Sequence, residues 1–366
     1  MGDAVTRIRR FVRQLHLWLG LSLGALFVLL GLTGSVLVFY TEIDALLNPE
    51  IRVEETATPD LDKALATVRA AYPAKPGPWR FEMTGEGGVI PARFYNPPER
   101  AGADFAPMLV WVSPDGSRVL RRTYWGETVM TFLYDLHYRL LVGKTGAVVL
   151  GYAGIVLFVL LVTGLWAWWP RGSWRKALRY KSEAGNSRRW RDQHKLSGLW
   201  GLPLLLILTV TGVMLELPDE SDAVLAAVLA PVQPMPHPAS SAWEGTPVSV
   251  SHAMAVAHKA LPQARITWVE VPGPGEGAFR IRMQTPGDPS ARFPHSFVWV
   301  DQYKGTLLAV SDTRNANASG VVNNWLHALH DGSFGGLVTR ILTVLAGLVP
   351  LILFITGYRR WRLRAD

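Results

Sequence analysis

Four stretches of this sequence are too long and too apolar for a water-soluble fold. A helix needs about 20 predominantly apolar residues to cross a bilayer, and residues 17–40, 147–169, 196–217 and 337–358 each meet that requirement. The charged fraction, 18%, sits below the roughly 25% usual in soluble domains. The first stretch follows an Arg-rich segment, as the core of a secretory signal would. Its apolar run exceeds the usual length of about 7–15 residues and no small-x-small cleavage site follows, so it reads as an uncleaved span.

The expected architecture is an α-helical integral membrane protein with four transmembrane helices, two repeats of two, and two small α+β outer domains. The chain divides into a tail and first span (1–40), a first outer domain (41–130) and a second span preceded by a histidine segment (131–169). A basic loop (170–195), a third span (196–217), a second outer domain (218–320), a fourth span with its own histidine segment (321–358) and a basic tail (359–366) follow.

Charge sets the orientation. Arg7, Arg9, Arg10 and Arg13 precede the first span. Arg171, Arg175, Lys176, Arg179, Lys181, Arg188, Arg189, Arg191 and Lys195 fill the middle loop, and Arg359, Arg360, Arg362 and Arg364 end the chain. Against them stand Asp3, Glu183, Asp192 and Asp366, so these segments carry +13 of a chain whose formal net charge is +8, and the rest carries −5. Four spans bring all three segments to one face, which the positive-inside rule makes cytoplasmic. Trp166, Trp168, Trp169 and Trp361 mark the same interface. Basic charge beside membrane spans needs no nucleic-acid partner, and none is expected. Both termini are therefore expected on the cytoplasmic face, with the two long segments outside.

The chain is an internal duplication, which repeat periodicity exposes. At an offset of 178, Arg13 and His16 meet Arg191 and His194, Gly20 meets Gly198, and Thr33-Gly34 meets Thr211-Gly212. At an offset of 193, His137 meets His330, Gly143 meets Gly336, Gly154 meets Gly347, and Thr163-Gly164 meets Thr356-Gly357. The outer segments match as well: amphipathic helices at 62–73 and 251–262 each precede strand-like text, Val110-Trp111-Val112 in one half and Val298-Trp299-Val300 in the other. The turns Asp115-Gly116 and Lys304-Gly305 join alternating runs in each half.

The repeat selects four of nine histidines. His16 and His194 open the first and third spans on the cytoplasmic side, while His137 and His330 open the second and fourth on the outer side. Ionisable groups in or beside spans are costly and mark functional sites. With no cysteine in the chain, thiolate-bound clusters and covalent haem are excluded. A pair of b-type haems fits, each held by two imidazoles from facing helices; bare copper or zinc ions at the same histidines are the alternative. Gly20 and Gly198, one turn past His16 and His194, would let a flat macrocycle approach the helix. Arg13 and Arg191 would pair with haem propionates, as Arg139 or Arg340 would on the outer side. Gly24, Gly31, Gly34, Gly201 and Gly212 read as close helix packing, and the Thr-Gly pairs as sites of helix packing or relaxation. His327, one turn before His330, aligns with Tyr134 in the repeat and reads as a neighbour of the ligand, a substrate contact or an alternative ligand. His237, His252, His258 and His295 have no histidine counterpart and read as surface residues.

The segments LHLWLGL at 15–21, LYDLHYRLLVGKTG at 133–146, RDQHKLSGLWG at 191–201 and LHALHDGSFGG at 326–336 resemble the PepSY-associated transmembrane family, also called iron-regulated membrane proteins. The resemblance covers nearly the whole chain. It implies PepSY-like outer domains and kinship with the family's inner-membrane ferric-siderophore reductases, which resemble four-helix di-haem proteins. By motif it maps His16 and His194 onto the inner haem ligands and His137 and His330 onto the outer ones. The expected activity is that of an oxidoreductase moving electrons across the membrane to a periplasmic ferric chelate, a ferric siderophore above all. No GxGxxG segment follows a strand, so a quinol or a separate reductase is the expected donor. Two other classes stay open: a non-enzymatic module whose outer domains bind a periplasmic partner, and a histidine-based metal-handling protein.

Overall fold

The computed structural model describes residues 2–53, 59–83, 88–170, 172–181, 185–241 and 245–363. Arg171, Glu183, Arg364 and Asp366 of the basic segments lie outside the described residues. The first half contains α1 (Gly2–Leu37), α2 (Tyr40–Leu47), α3 (Leu61–Ala71), β1 (Trp79–Glu82), β2 (Ile90–Phe94), β3 (Met108–Val112), β4 (Val119–Tyr124), α4 (Val129–Arg139) and α5 (Gly143–Trp168). A short α6 (Trp174–Leu178) leads to α7 (Asn186–Glu216), α8 (Pro218–Val228), α9 (Val250–Ala260), β5 (Arg265–Val271), β6 (Ala278–Gln284), β7 (Ser296–Asp301), β8 (Leu307–Ser311), α10 (Ala318–Asp331) and α11 (Gly336–Arg362). These elements form two compact units, interleaved along the chain.

One unit comprises Met1–Phe39, Leu133–Pro218 and Leu329–Asp366. Among the described residues, its α1, α5, α7 and α11 are the four helices long and apolar enough to cross a membrane. α1 packs against α5 and α11, and α7 against the same two. Large apolar side chains such as Val149, Phe158, Trp200 and Leu345 point outward, an arrangement that only a lipid environment satisfies at this density. α7 begins well before the apolar run read from sequence, because charged residues remain helical beyond the bilayer. Glycines let the helices approach. A Cβ at Gly31 of α1 would run into the backbone carbonyl of Gly347 on α11, and one at Gly201 of α7 would meet Val349. Ser35 adds a hydrogen bond, its Oγ donating to the Val344 carbonyl at 3.1 Å.

The other unit comprises Tyr40–Phe132 and Asp219–Ala328. Each half supplies an amphipathic helix and a four-stranded antiparallel meander. The two outer domains read from sequence are two halves of one eight-stranded antiparallel sheet, ordered β4-β3-β2-β1-β5-β6-β7-β8. The seam is the β1–β5 pair, with Trp79 opposite Val271 and Phe81 opposite Val269. Alternation places Trp79, Phe81, Ile90, Val110, Phe279, Ile281 and Val298 in one continuous core with Val68 of α3 and Ala257 of α9. The helix starts are capped where the sequence offers caps: Asp60 accepts from the Lys63 amide at 2.9 Å, and Ser249 from the His252 amide at 3.1 Å. Asp62 of α3 also accepts from the amides of Val250 and Ser251 at 2.6 and 3.1 Å, so one repeat caps the helix of the other.

Candidate functional site: two histidine pairs

The membrane unit brings the four repeat-selected histidines into two pairs. His16 of α1 faces His194 of α7 with ring centres 6.2 Å apart. His137 of α4 faces His330 of α10, also at 6.2 Å. Each pair takes one histidine from each repeat. Along α1, His16 is separated from Thr33, which contacts His137, by 17 residues, and the same number separates His194 from Thr211 on α7. At 1.5 Å per residue the two pairs are held at levels about 25 Å apart along the helices, close to the thickness of about 30 Å of a bilayer's hydrocarbon core.

Every ring is held in the same way, by a Thr-Gly step on a neighbouring helix. His137 Nδ1 lies 3.0 Å from Thr33 Oγ1, and His330 Nδ1 lies 3.0 Å from Thr211 Oγ1. His194 Nδ1 lies 3.0 Å from both Thr356 Oγ1 and the Leu353 carbonyl. His16 Nδ1 lies 3.1 Å from the Leu160 carbonyl and 3.4 Å from Thr163 Oγ1. The hydroxyls have already committed their protons to the preceding turn: Thr33 donates to Leu29 O at 2.7 Å, Thr211 to Ile207 O at 2.7 Å, Thr356 to Ile352 O at 2.6 Å and Thr163 to Val159 O at 2.8 Å. A hydroxyl has one proton and a carbonyl has none. Each imidazole therefore donates from Nδ1, and Nε2 carries the free lone pair. Metal-binding histidines are oriented in this way.

The glycine of each step makes room for the ring. A Cβ would stand 2.9 Å from His137 Cε1 at Gly34, 2.8 Å from His16 Cε1 at Gly164, 3.1 Å from His330 Cε1 at Gly212 and 3.4 Å from His194 Cε1 at Gly357. This corrects the sequence reading of Gly34, Gly212 and the Thr-Gly pairs as helix-packing elements: they are the seats of the histidines. The signal was present in the repeat, where all four Thr-Gly pairs recur with the four histidines, but sequence spacing does not reveal which helix faces which.

Gly20 and Gly198 differ from the packing glycines. A Cβ at Gly20 would touch only Leu160, at 3.9 Å, and one at Gly198 only Leu353, at 3.4 Å. Both leave open space one turn from the inner pair. Arg13 is exposed. Arg191 lies 3.7 Å from the buried Asp192, which also meets Lys195 at 3.2 Å. Arg360 of α11, which sequence reasoning did not single out, lies within electrostatic reach of both His16 and His194. On the outer side Arg340 donates to the Val38 carbonyl at 2.7 Å, and Arg139 stacks on Tyr138 with its guanidinium carbon 4.4 Å from the ring centre.

The remaining histidines lie in the outer unit. His237 and His258 are exposed, as read from sequence. His252 is exposed as well, and its Nε2 lies 3.2 Å from the Gly305 carbonyl. His295 is no free surface residue: it is half-buried, with its ring centre 6.4 Å from that of His327. His327 stacks on Phe293 at 4.6 Å.

The family profile described as PepSY-associated TM region matches residues 13–364. An uncharacterized protein of Pseudomonas aeruginosa, PA4219, is 32% identical over 126 residues. That match covers 33% of this chain and 32% of the relative, so the chain spans about a third of the length of the curated protein it resembles.

Proposed function

We propose that this chain, which belongs to the PepSY-associated transmembrane family, is a di-haem b-type membrane protein that delivers electrons across the inner membrane to a ferric chelate on the periplasmic side, a ferric siderophore in particular. The observation that supports the reading is the spacing of the two pairs. Metal–imidazole bonds are about 2.0–2.1 Å long, and a ring centre lies about 1.1–1.2 Å beyond its nitrogen, so rings on opposite sides of one ion have centres about 6.2–6.6 Å apart. Both pairs stand at 6.2 Å, with Nδ1 anchored and Nε2 available. Among the described residues no group of three or more His, Asp or Glu converges. A bare zinc ion in either pair would lack the three or four protein ligands it normally takes, whereas haem brings its own equatorial nitrogens and needs only the two axial imidazoles.

The chain's own part is ligation, orientation and charge balance. His16 with His194, and His137 with His330, would hold the two groups, and the Thr hydroxyls and helix carbonyls behind each ring fix its tautomer. Bound haem would supply a one-electron Fe(III)/Fe(II) couple. Gly20 and Gly198 keep space beside the inner pair. Arg13, Arg191 and Arg360 supply positive charge for propionates at the same level. The basic segments orient that pair toward the cytoplasm, where a quinol or separate reductase is the donor. Ferric iron favours hard oxygen ligands more strongly than ferrous iron does, so reduction at the outer face loosens a siderophore's hold.

Purified protein in detergent should show a Soret band and sharp reduced-state α-bands of bis-histidine haem, at about two haems per chain. His194→Ala and His330→Ala should each remove about one. A protein that shows no Soret band, before or after incubation with haemin, sinks the proposal.

A further inference from the structure

We propose that His295, His327 and Asn324 of the outer unit form a binding site for a divalent first-row transition-metal ion, separate from the two membrane pairs. Three features of the cluster support it. First, the two imidazoles stand 6.4 Å apart between ring centres, within reach of one ion by the same arithmetic that applies to the membrane pairs. Second, Asn324 is 7% exposed and its Oδ1 has no hydrogen-bond partner. A buried unpaired acceptor is costly, and a cation satisfies it. Asn324 and His327 are three residues apart on α10 and so share a face. Third, Asp288 lies within interaction range of both the His295 backbone and the Asn324 side chain, which places those two donors side by side.

The electrostatics tolerate a cation. Arg282 faces Asp288, and Arg292 lies 3.3 Å from Glu82 while stacking on Phe293 and Tyr40, so each guanidinium near the cluster is offset by a carboxylate. Two imidazoles on opposite sides of the ion and an amide oxygen suit iron(II), cobalt(II) or nickel in preference to magnesium or calcium. Open positions would remain for water or a chelator's donor atom. If the reductase proposal holds, ferrous iron leaving a reduced chelate is the natural occupant; ion binding itself is independent of that proposal.

The test uses the full-length protein in detergent, treated with a chelator and dialysed against cobalt(II), with cobalt per chain counted by elemental analysis and haem counted separately from its Soret band. One cobalt per chain is expected. His295→Ala and His327→Ala should each weaken binding roughly tenfold or more, since even losing a residue that supports a ligand costs 10–100-fold. Asn324→Ala should weaken it less, and His258→Ala, an exposed histidine on α9, should not. Cobalt should also raise the melting temperature of the wild type and leave that of His295→Ala unchanged, which separates a lost ligand from a lost fold. The proposal is overturned if the wild type binds no more cobalt than His295→Ala. Cobalt that vanishes in His330→Ala and persists in His295→Ala would place the ion at the membrane pair and overturn it equally.

Discussion

Alanine scanning of the four histidine seats gives a graded test of the site. In a mid-span helix, Gly→Ala should help by about 0.8–1 kcal/mol through helix propensity alone. At Gly357 the new Cβ stands 3.4 Å from His194 Cε1, ordinary van der Waals contact, so the propensity gain should survive. At Gly34 and Gly164 the same atom stands 2.9 Å from His137 and 2.8 Å from His16, about half an ångström too close. The ring cannot retreat freely, because its Nδ1 is tied to Thr33 in one case and to the Leu160 carbonyl in the other. The clashing Cε1 is bonded to both ring nitrogens, so any retreat also shifts the Nε2 that would reach the iron, where bond lengths are tolerated to about 0.2 Å. Overpacking of this kind costs about 1–3 kcal/mol, which as lost ligation is about 5–150-fold in haem affinity at 1.4 kcal/mol per tenfold. Haem titration of the four alanine variants, followed at the Soret maximum and by melting temperature, should rank Gly164→Ala and Gly34→Ala as weakest, Gly212→Ala as intermediate and Gly357→Ala as equal to or better than wild type. Equal affinities across the series, or a Gly357→Ala variant as weak as Gly34→Ala, would refute the seating of the rings on these glycines.

Three further outcomes follow from the geometry. Thr211→Val removes the oxygen that accepts from His330 Nδ1 while keeping the side-chain shape, and should weaken outer-haem retention roughly 10–100-fold without touching the inner haem, read by reduced-minus-oxidised spectra during competition with apomyoglobin. Asp62→Ala uncaps two amides of α9 and should destabilise the outer unit by about 1–2 kcal/mol in chemical denaturation followed by tryptophan fluorescence, with haem content unchanged. For Asp301, desolvation raises the carboxyl, but N–H donors from Ser241, Lys304 and Tyr303 outweigh it and hold it at about 2. A depressed carboxyl contributes stability that is present above its unfolded value near 4 and lost as pH falls through about 2, so Asp301→Asn should flatten the acid limb of stability over that window, measured by melting temperature against pH.

The spans, the duplication and the histidine pairs were legible because each leaves a one-dimensional trace. Apolar length marks a span, offset identity marks a repeat, and a histidine recurring with it marks a site. Three features were not legible. The union of the two meanders depends on β1 and β5 exposing complementary edges, and an edge is a backbone property with no residue signature. The role of the Thr-Gly steps depends on which helix lies opposite which, and sequence spacing fixes positions along a helix but not between helices. His295 read as surface because the repeat offered it no partner; its neighbour His327 comes from α10, over 30 residues away, and only folding brings the two rings together.

The duplication also explains why both units are built across the repeats instead of within them. The first repeat supplies His16 and His137, but each faces a histidine of the second, and neither repeat contains a complete pair. In the outer unit, the first repeat's Asp62 caps the second repeat's α9, and β1 finds its partner edge in β5. Contacts of this kind, in which equivalent surfaces of two copies complete each other, are the signature of a two-fold interface. A single repeat would leave two unpaired imidazoles in apolar surroundings, where an unpaired polar group is costly, and an open sheet edge prone to pairing with other chains. Joining both copies in one chain closes the sheet seam and completes both histidine pairs at one stoichiometry. It also frees each copy to diverge at positions outside the shared interface, and the two have done so where His327 stands opposite Tyr134 in the repeat.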